Sequence, residues 1–116
     1  MNLKDKTLKL KETLNILKNN YLTNEKPENK KDKDFFNYVK EQTKEDFILV
    51  QEWEEEALRF VKNRQVSVHP QQVASTRENF DLLLMHSYYI DVRRKRYMEL
   101  NQSVHYVFDA LLINLE

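Results

Sequence analysis

Residues 94–115 read RKRYMELNQSVHYVFDALLINL, and this stretch decides the fold class because a single apolar stripe runs through it. An α-helix has about 3.6 residues per turn, so apolar side chains three and four residues apart lie on one face. The members of this stripe are Tyr97, Leu100, Val104, Val107, Phe108, Leu111 and Leu115. The pattern predicts a long amphipathic helix whose apolar face packs against other helices.

Three further segments carry the same periodicity and are predicted to be the other long helices. They span residues 3–22, 44–64 and 70–91, and Pro70 suits the first turn of the third one. Their inward positions include Leu10, Leu14 and Leu17, then Phe47, Val50, Trp53 and Ala57, then Val73, Phe80, Leu83 and Leu84. Four such helices with mostly short connections predict an all-α, up-and-down antiparallel bundle.

The region before the second long helix is predicted to hold a loop and a short extra helix. Residues 23–34 contain no large apolar side chain and include Pro27, so we expect a mobile polar loop. Asp34 is a candidate N-cap for a short helix over 35–42, and Thr43 is a candidate cap for the helix that follows. One bent helix over 35–64 is the alternative.

Composition bounds the kinds of function that this chain can carry. The chain has 116 residues, which suits one domain, and it contains neither glycine nor cysteine. A phosphate-binding loop and a dinucleotide fingerprint both need glycine, and disulfides, zinc ribbons and thiol nucleophiles need cysteine. We therefore treat residues 1–116 as one domain and expect no cofactor.

The expected location is the cytoplasm. No uninterrupted apolar run is longer than the one from Leu82 to Met85, which is far short of the roughly 18 residues that cross a bilayer. The first six residues include the charged side chains Lys4, Asp5 and Lys6, and they lack the apolar core of a secretory signal. No association with a membrane is expected.

Several motifs resemble those of the YppE-like family, small helical-bundle proteins of Gram-positive bacteria. The resemblance rests on Asp34-Phe35-Phe36, Trp53 with Ala57-Leu58, Val68-His69, Asn79-Phe80, Ser87-Tyr88, Lys95-Arg96-Tyr97, and Ser103-Val104 with Tyr106 and Ala110. It implies a left-handed up-and-down four-helix bundle with extra short helices, and it implies no activity because the family is uncharacterised. Some relatives carry histidines just before the basic cluster, where this chain has Ile90, Asp91 and Arg93, so a metal role there does not transfer.

The patterns that could support catalysis are weak. Bundle di-iron sites use Glu-x-x-His, which this sequence lacks, and His105 with Asp109 reads more simply as a surface pair. Ser87 and His86 are adjacent and point about 100° apart on a helix, so they cannot form a nucleophile–base pair. Ser87 and Ser103 are predicted to allow close helix packing instead. We expect no enzyme activity and no metal site.

The basic cluster Arg93, Arg94, Lys95 and Arg96 is the candidate site for nucleic acid or another anion. Tyr88, Tyr89 and Tyr97 flank it, and arginine with aromatic rings can hold phosphates and bases. The alternative is a helix end where cations favour the negative pole, with pairing to Asp91 or Glu99. Lys plus Arg and Asp plus Glu both number 19, and this zero net charge disfavours nucleic-acid binding.

The chain has more apolar side chains than four inner stripes can use. The candidate interaction surface comprises Phe35, Phe36, Leu82, Met85, Tyr106 and Ile113. The segment 35–42, a second copy of the chain or a foreign protein could each cover this excess. The sequence therefore predicts a non-catalytic interaction or scaffold module, and a nucleic-acid-associated protein is the alternative.

Overall fold

The computed structural model describes residues 1–63 and 66–115, and these form four α-helices without a strand. The helices are α1 Leu3–Thr23, α2 Lys33–Lys62, α3 Pro70–Tyr89 and α4 Arg94–Asn114. The predicted all-α class with four long helices is confirmed. The predicted helix end at 64, the loop start at 65 and the last residue of the 1–116 domain lie outside the described residues.

The four helices share one apolar core, to which each of them contributes buried side chains. Tyr21, near the end of α1, stacks on Tyr97, near the start of α4, with ring centroids 4.1 Å apart. Trp53 of α2 meets Phe108 of α4 edge-on at 5.0 Å, deep in the core. Aromatic rings in such contacts add stabilisation beyond their buried area. The up-and-down arrangement of the helices and the left-handed sense of the bundle stay predictions.

Polar bonds fix α1 and α3 against α2. The Trp53 indole N–H donates to Thr7 Oγ1 at 3.0 Å, and Lys6 of α1 pairs with Glu56 of α2. Arg77 of α3 lies 3.0 Å from Glu54 of α2. Because these partners are at least partly buried, each pairing favours one register between the helices.

The extra short helix predicted over 35–42 is wrong, because α2 is one uninterrupted helix of 30 residues. Thr43 does not cap a helix: its buried hydroxyl donates to the carbonyl oxygen of Val39, one turn earlier, at 2.8 Å. A threonine that bonds backward in this way is accommodated inside a helix. The cap is Asp32 rather than Asp34, since Asp32 Oδ1 accepts the Asp34 N–H at 3.0 Å.

The connections differ slightly from the prediction. Residues 24–32 join α1 to α2, within the predicted polar loop, whose mobility stays a prediction. Helix α3 ends at Tyr89, two residues earlier than expected, because Ile90 takes a left-handed conformation with φ of 49°. Across the described residues, no helix combines the length and apolarity that a membrane span requires.

Candidate functional site

An apolar groove of about 490 Å³ runs along the outer side of the contact between α2 and α3. Its floor and walls come from successive turns of α2 and from the last turns of α3. The lining residues are Phe36, Val39, Lys40, Thr43, Lys44, Phe47, Ile48, Met85 and Tyr89. Grooves with an apolar lining and few polar groups are the usual form of protein and ligand binding sites.

Helical spacing explains how the groove forms. Positions 36, 40, 43 and 47 of α2 are separated by three or four residues, so they share one face, and Lys44 lies one turn after Lys40 at its edge. Met85 and Tyr89 are four residues apart on α3 and face the same space. Val39 and Thr43 are buried and close the floor, whereas Phe36 remains 56% exposed. The groove therefore has a packed base and an accessible aromatic edge.

The structure brings together only part of the predicted interaction surface. Phe36 and Met85 both line the groove, and Phe35 supports it by packing edge-on against Tyr89 at 5.2 Å. Leu82 is exposed on α3, three residues before Met85, and it is not among the lining residues. Tyr106 and Ile113 are exposed on α4 and do not line it.

The segment predicted to cover surplus apolar surface does so in part. The ring of Tyr38 packs edge-on against that of Tyr88 of α3, with the ring centroids 6.3 Å apart, and Val39 is buried. Phe36, from the same turn of α2, stays exposed and leaves the groove open. Intramolecular packing thus accounts for only some of the excess that the sequence shows.

Sequence reasoning missed Lys40 and Lys44, the two charged residues of the groove. They lie four residues apart on α2, and both are exposed. Within residues 1–63 and 66–115, no carboxylate lies within 4 Å of either ammonium group. The signal was present in the sequence, because lysines four apart that alternate with Phe36, Val39 and Phe47 mark a charged edge of an apolar face.

A buried polar network lies at the other edge of α3. Ser87 Oγ lies 2.6 Å from the Tyr97 hydroxyl and donates to the Leu83 carbonyl oxygen. Burial raises the pKa of Tyr97 to about 12. Ser87 therefore packs between helices as predicted, and it has a structural partner instead of a base. The same prediction for Ser103 is wrong, because Ser103 is exposed.

The basic cluster Arg93–Arg96 lies at the start of α4, where all four side chains are exposed. The interpretation that cations there favour the negative pole of a helix is wrong, because a helix start is the positive pole. Asp91 lies 2.7 Å from His86 Nδ1, and no described carboxylate pairs with the cluster. Tyr97 is buried against Tyr21, so it is not free to stack on a base.

The histidines are engaged in local contacts. The His69 backbone N–H donates to Gln72 Oε1 at the start of α3, as a capping position requires. Asp109 pairs with Lys11 at 2.5 Å, and burial together with Lys11 lowers the pKa of His105. In the described parts of the chain, no three His, Asp or Glu side chains cluster as metal ligands.

The fold and the groove define a small helical protein of the four-helix class with an open apolar surface site. The chain matches a bacterial domain of unknown function, DUF1798, over residues 7–115. It therefore belongs to the DUF1798 family, and the resemblance to YppE-like proteins is confirmed. No catalytic family or fold is indicated by this membership.

Individual relatives agree with this assignment. The chain is 33% identical over 79 residues to the uncharacterized protein YppE of Bacillus subtilis strain 168, covering 67% of this chain and 64% of that protein. The crystal structure of YppE from Bacillus subtilis matches with a TM-score of 0.81, 26% identity, and coverage of 95% of this chain and 89% of that chain. The solution structure of YppE matches with a TM-score of 0.77 at 24% identity.

Proposed function

We propose that this protein is a non-catalytic interaction module of the cytoplasm that binds an amphipathic helix of another protein in the α2–α3 groove. The observation that carries this proposal is the convergence of exposed Phe36 and half-buried Met85 on one open apolar groove. An amphipathic helix that lays its apolar face into such a groove is a recurrent mode of peptide recognition.

The dimensions of the groove support a helical partner. Its α2 wall extends from Phe36 to Ile48, which at 1.5 Å per residue is about 18 Å. This length accommodates about three turns of a helix.

The charges of the groove favour a foreign partner over a second copy. A dimer with two grooves face to face brings Lys40 and Lys44 of both copies into one interface. The groove lining contains no carboxylate to pair with them. Unpaired charges in a desolvated interface oppose association.

The test uses a synthetic 14-residue amphipathic peptide with leucines on one face and glutamines on the other. We expect the chain to bind it and to lose about tenfold or more in affinity when Phe36→Glu places a charge at the groove. Met85→Glu gives the same test from α3. Tyr106→Glu, the same kind of change at an exposed aromatic residue of α4, is the matched control and leaves affinity unchanged.

Fluorescence anisotropy measures affinity, circular dichroism confirms that each variant is folded, and NMR shift mapping locates the peptide. Shifts confined to residues 36–48 and 82–89 support the proposal. Absence of binding, equal loss in Tyr106→Glu, or shifts confined to α4 would overturn it. If the chain forms a dimer without peptide and Phe36→Glu dissociates that dimer, the groove binds a second copy instead.

A further inference from the structure

From the chemistry of the groove we infer that its partner is an acidic amphipathic helix, with carboxylates on the flank that meets Lys40 and Lys44. This inference rests on the proposed function and specifies the partner's chemistry. The evidence is the one-sided distribution of charge around an otherwise apolar lining.

The two lysines form a matched pair along α2. Residues four apart on a helix are neighbours on its surface, roughly 6 Å apart. A partner helix that lies along α2 presents its own residues at the same spacing, so two carboxylates three or four residues apart can meet both ammonium groups. The repeat of the helix therefore suits this pair to another helix.

The lysines are available for such a contact. Both are exposed, and no carboxylate of the described residues holds either of them within 4 Å. By contrast, Lys6 and Lys11 are engaged with Glu56 and Asp109. A partner carboxylate would therefore gain an ion pair without breaking one inside the bundle.

The opposite wall of the groove has no charge. Met85 and Tyr89 provide that wall, and His86, which follows Met85 in the sequence, is bonded to Asp91. A partner helix consequently meets cations on its α2 flank and apolar side chains on its α3 flank. This asymmetry selects a partner with an acidic flank on one side. It also fixes the direction in which the partner helix runs along the groove.

The aliphatic parts of the lysines add to the fit. A lysine side chain can lay its methylene groups along apolar surface while its ammonium group stays in water. Lys40 and Lys44 line the groove together with Phe36 and Phe47, so their stems extend its apolar wall. Leucines of the partner can contact these stems while carboxylates reach the charged ends.

Acidic residues on the neighbouring face of α2 lie next to the two lysines of the groove. Glu41, Glu45 and Asp46 line a polar depression that adjoins the groove, and Lys44 and Ile48 line both the depression and the groove. Burial and the adjacent Glu45 raise the pKa of Asp46, as expected where carboxylates crowd. A partner with a basic outer edge could meet these groups, but its flank over the groove itself must be acidic.

The test compares two 14-residue peptides with the same leucine face, one with glutamates and one with lysines on the polar face. At about 0.15 M salt we expect wild type to bind the glutamate peptide about tenfold more tightly, from two partly screened ion pairs. In Lys40→Glu with Lys44→Glu the preference reverses, and the lysine peptide binds more tightly.

The matched control is Arg94→Glu with Lys95→Glu, which changes the net charge equally but lies at the start of α4. This control keeps the preference for the glutamate peptide. If the control reverses the preference and the groove variant does not, the basic cluster is the site that contacts the glutamate peptide, and the inference is wrong.

The outcomes separate this inference from the proposed function. If both peptides bind wild type equally and Phe36→Glu abolishes both, the groove binds helices but its charge preference is refuted. If neither peptide binds at any salt concentration, the proposed function fails and the inference fails with it. Reversal of preference in the groove variant alone supports both.

Discussion

Tyr97 and Ser87 show how a side chain that counts as apolar in a sequence pattern can also carry a polar contact. The two hydroxyl oxygens lie 2.6 Å apart in the core, and Ser87 also donates to the Leu83 carbonyl oxygen. Tyr21, stacked on Tyr97, donates to the Val92 carbonyl oxygen. Periodicity correctly predicts that Tyr97 faces inward, but its polar partner depends on the register between α3 and α4.

We predict that Tyr97→Phe lowers the free energy of unfolding by about 1 kcal/mol, because it removes one buried hydrogen bond. Ser87→Ala lowers it by about 1–3 kcal/mol, because it leaves the buried Tyr97 hydroxyl without this partner. The double variant loses less than the sum of the two. Urea unfolding measures all three, and strictly additive losses would mean that the hydroxyls do not interact.

The lowered pKa of His105 predicts that the stability of the fold depends on pH. Burial and the nearby Lys11 lower the pKa of His105 below its ordinary value of 6.5 in the folded state. The unfolded chain therefore binds more protons just below pH 6.5, and stability rises with pH across that range. We expect the free energy of unfolding to fall as the pH drops from about 7 to about 5.5.

The variant His105→Gln should reduce that fall, measured by urea unfolding at each pH. His69→Gln is the control, because His69 is exposed at the start of α3. An identical pH dependence in wild type and His105→Gln would contradict the assignment. If only His69→Gln reduces the change of the free energy of unfolding with pH, His69 is the residue responsible.

At the scale of elements, α3 ends on a residue whose type does not suit its conformation. Ile90 has a φ of 49°, although β-branched side chains disfavour the left-handed region and glycine usually occupies such a helix end. Ile90 also packs against the apolar core. Packing of its side chain offsets the unfavourable backbone, so the turn forms without glycine.

We predict that Ile90→Gly is more stable than Ile90→Ala by about 1 kcal/mol, because both lose the isoleucine atoms beyond Cβ and glycine also relieves the left-handed backbone. At Gln102, an exposed position within α4, the order reverses, because glycine inside a helix is less stable than alanine by about 1 kcal/mol. Thermal unfolding measures both pairs. Alanine more stable than glycine at position 90 would mean that the turn is not left-handed in solution.

The elements that the sequence predicts well are those with long periodic stripes. The four helices and inward positions such as Leu10, Trp53 and Phe108 follow from spacing alone. The break predicted at Thr43 failed because a threonine hydroxyl can bond forward as a cap or backward within a helix. Which bond forms depends on the tertiary packing that buries Val39 and Thr43.

The candidate site was less accessible to sequence reasoning. Periodicity marks Phe36 and Met85 as surplus apolar residues, but their meeting in one groove depends on how α2 and α3 pack. Tyr106 and Ile113 carry the same apolar signal and lie elsewhere, on α4. A pattern along one helix does not state which exposed apolar residues of two helices become neighbours.

At the scale of the whole molecule, zero net charge bears on the alternative nucleic-acid function. Binding to nucleic acid depends strongly on neutralised phosphates, and Arg93–Arg96 is the longest run of consecutive cations in the sequence. We expect no binding to a DNA duplex at about 0.15 M salt. Salt-sensitive binding that weakens in Arg93→Ala with Arg96→Ala would contradict this expectation and support the alternative.

The charged residues along the groove also bear on whether the whole molecule self-associates. Exposed apolar surface favours association, and charged residues placed along it can prevent wrong pairings. Lys40 and Lys44 have this position, since two grooves face to face would gather four cations in one interface. We therefore expect the lysines to keep the free groove accessible, in addition to the partner selection that we propose for them.

We predict that wild type stays monomeric across a concentration series in sedimentation equilibrium. Lys40→Gln with Lys44→Gln removes the repulsion while keeping the apolar lining, so its mass rises with concentration. Adding Phe36→Glu to that variant restores the monomer, because a charge returns to the same groove. If wild type and the glutamine variant associate equally, or if Phe36→Glu does not reverse the association, the lysines do not guard this surface.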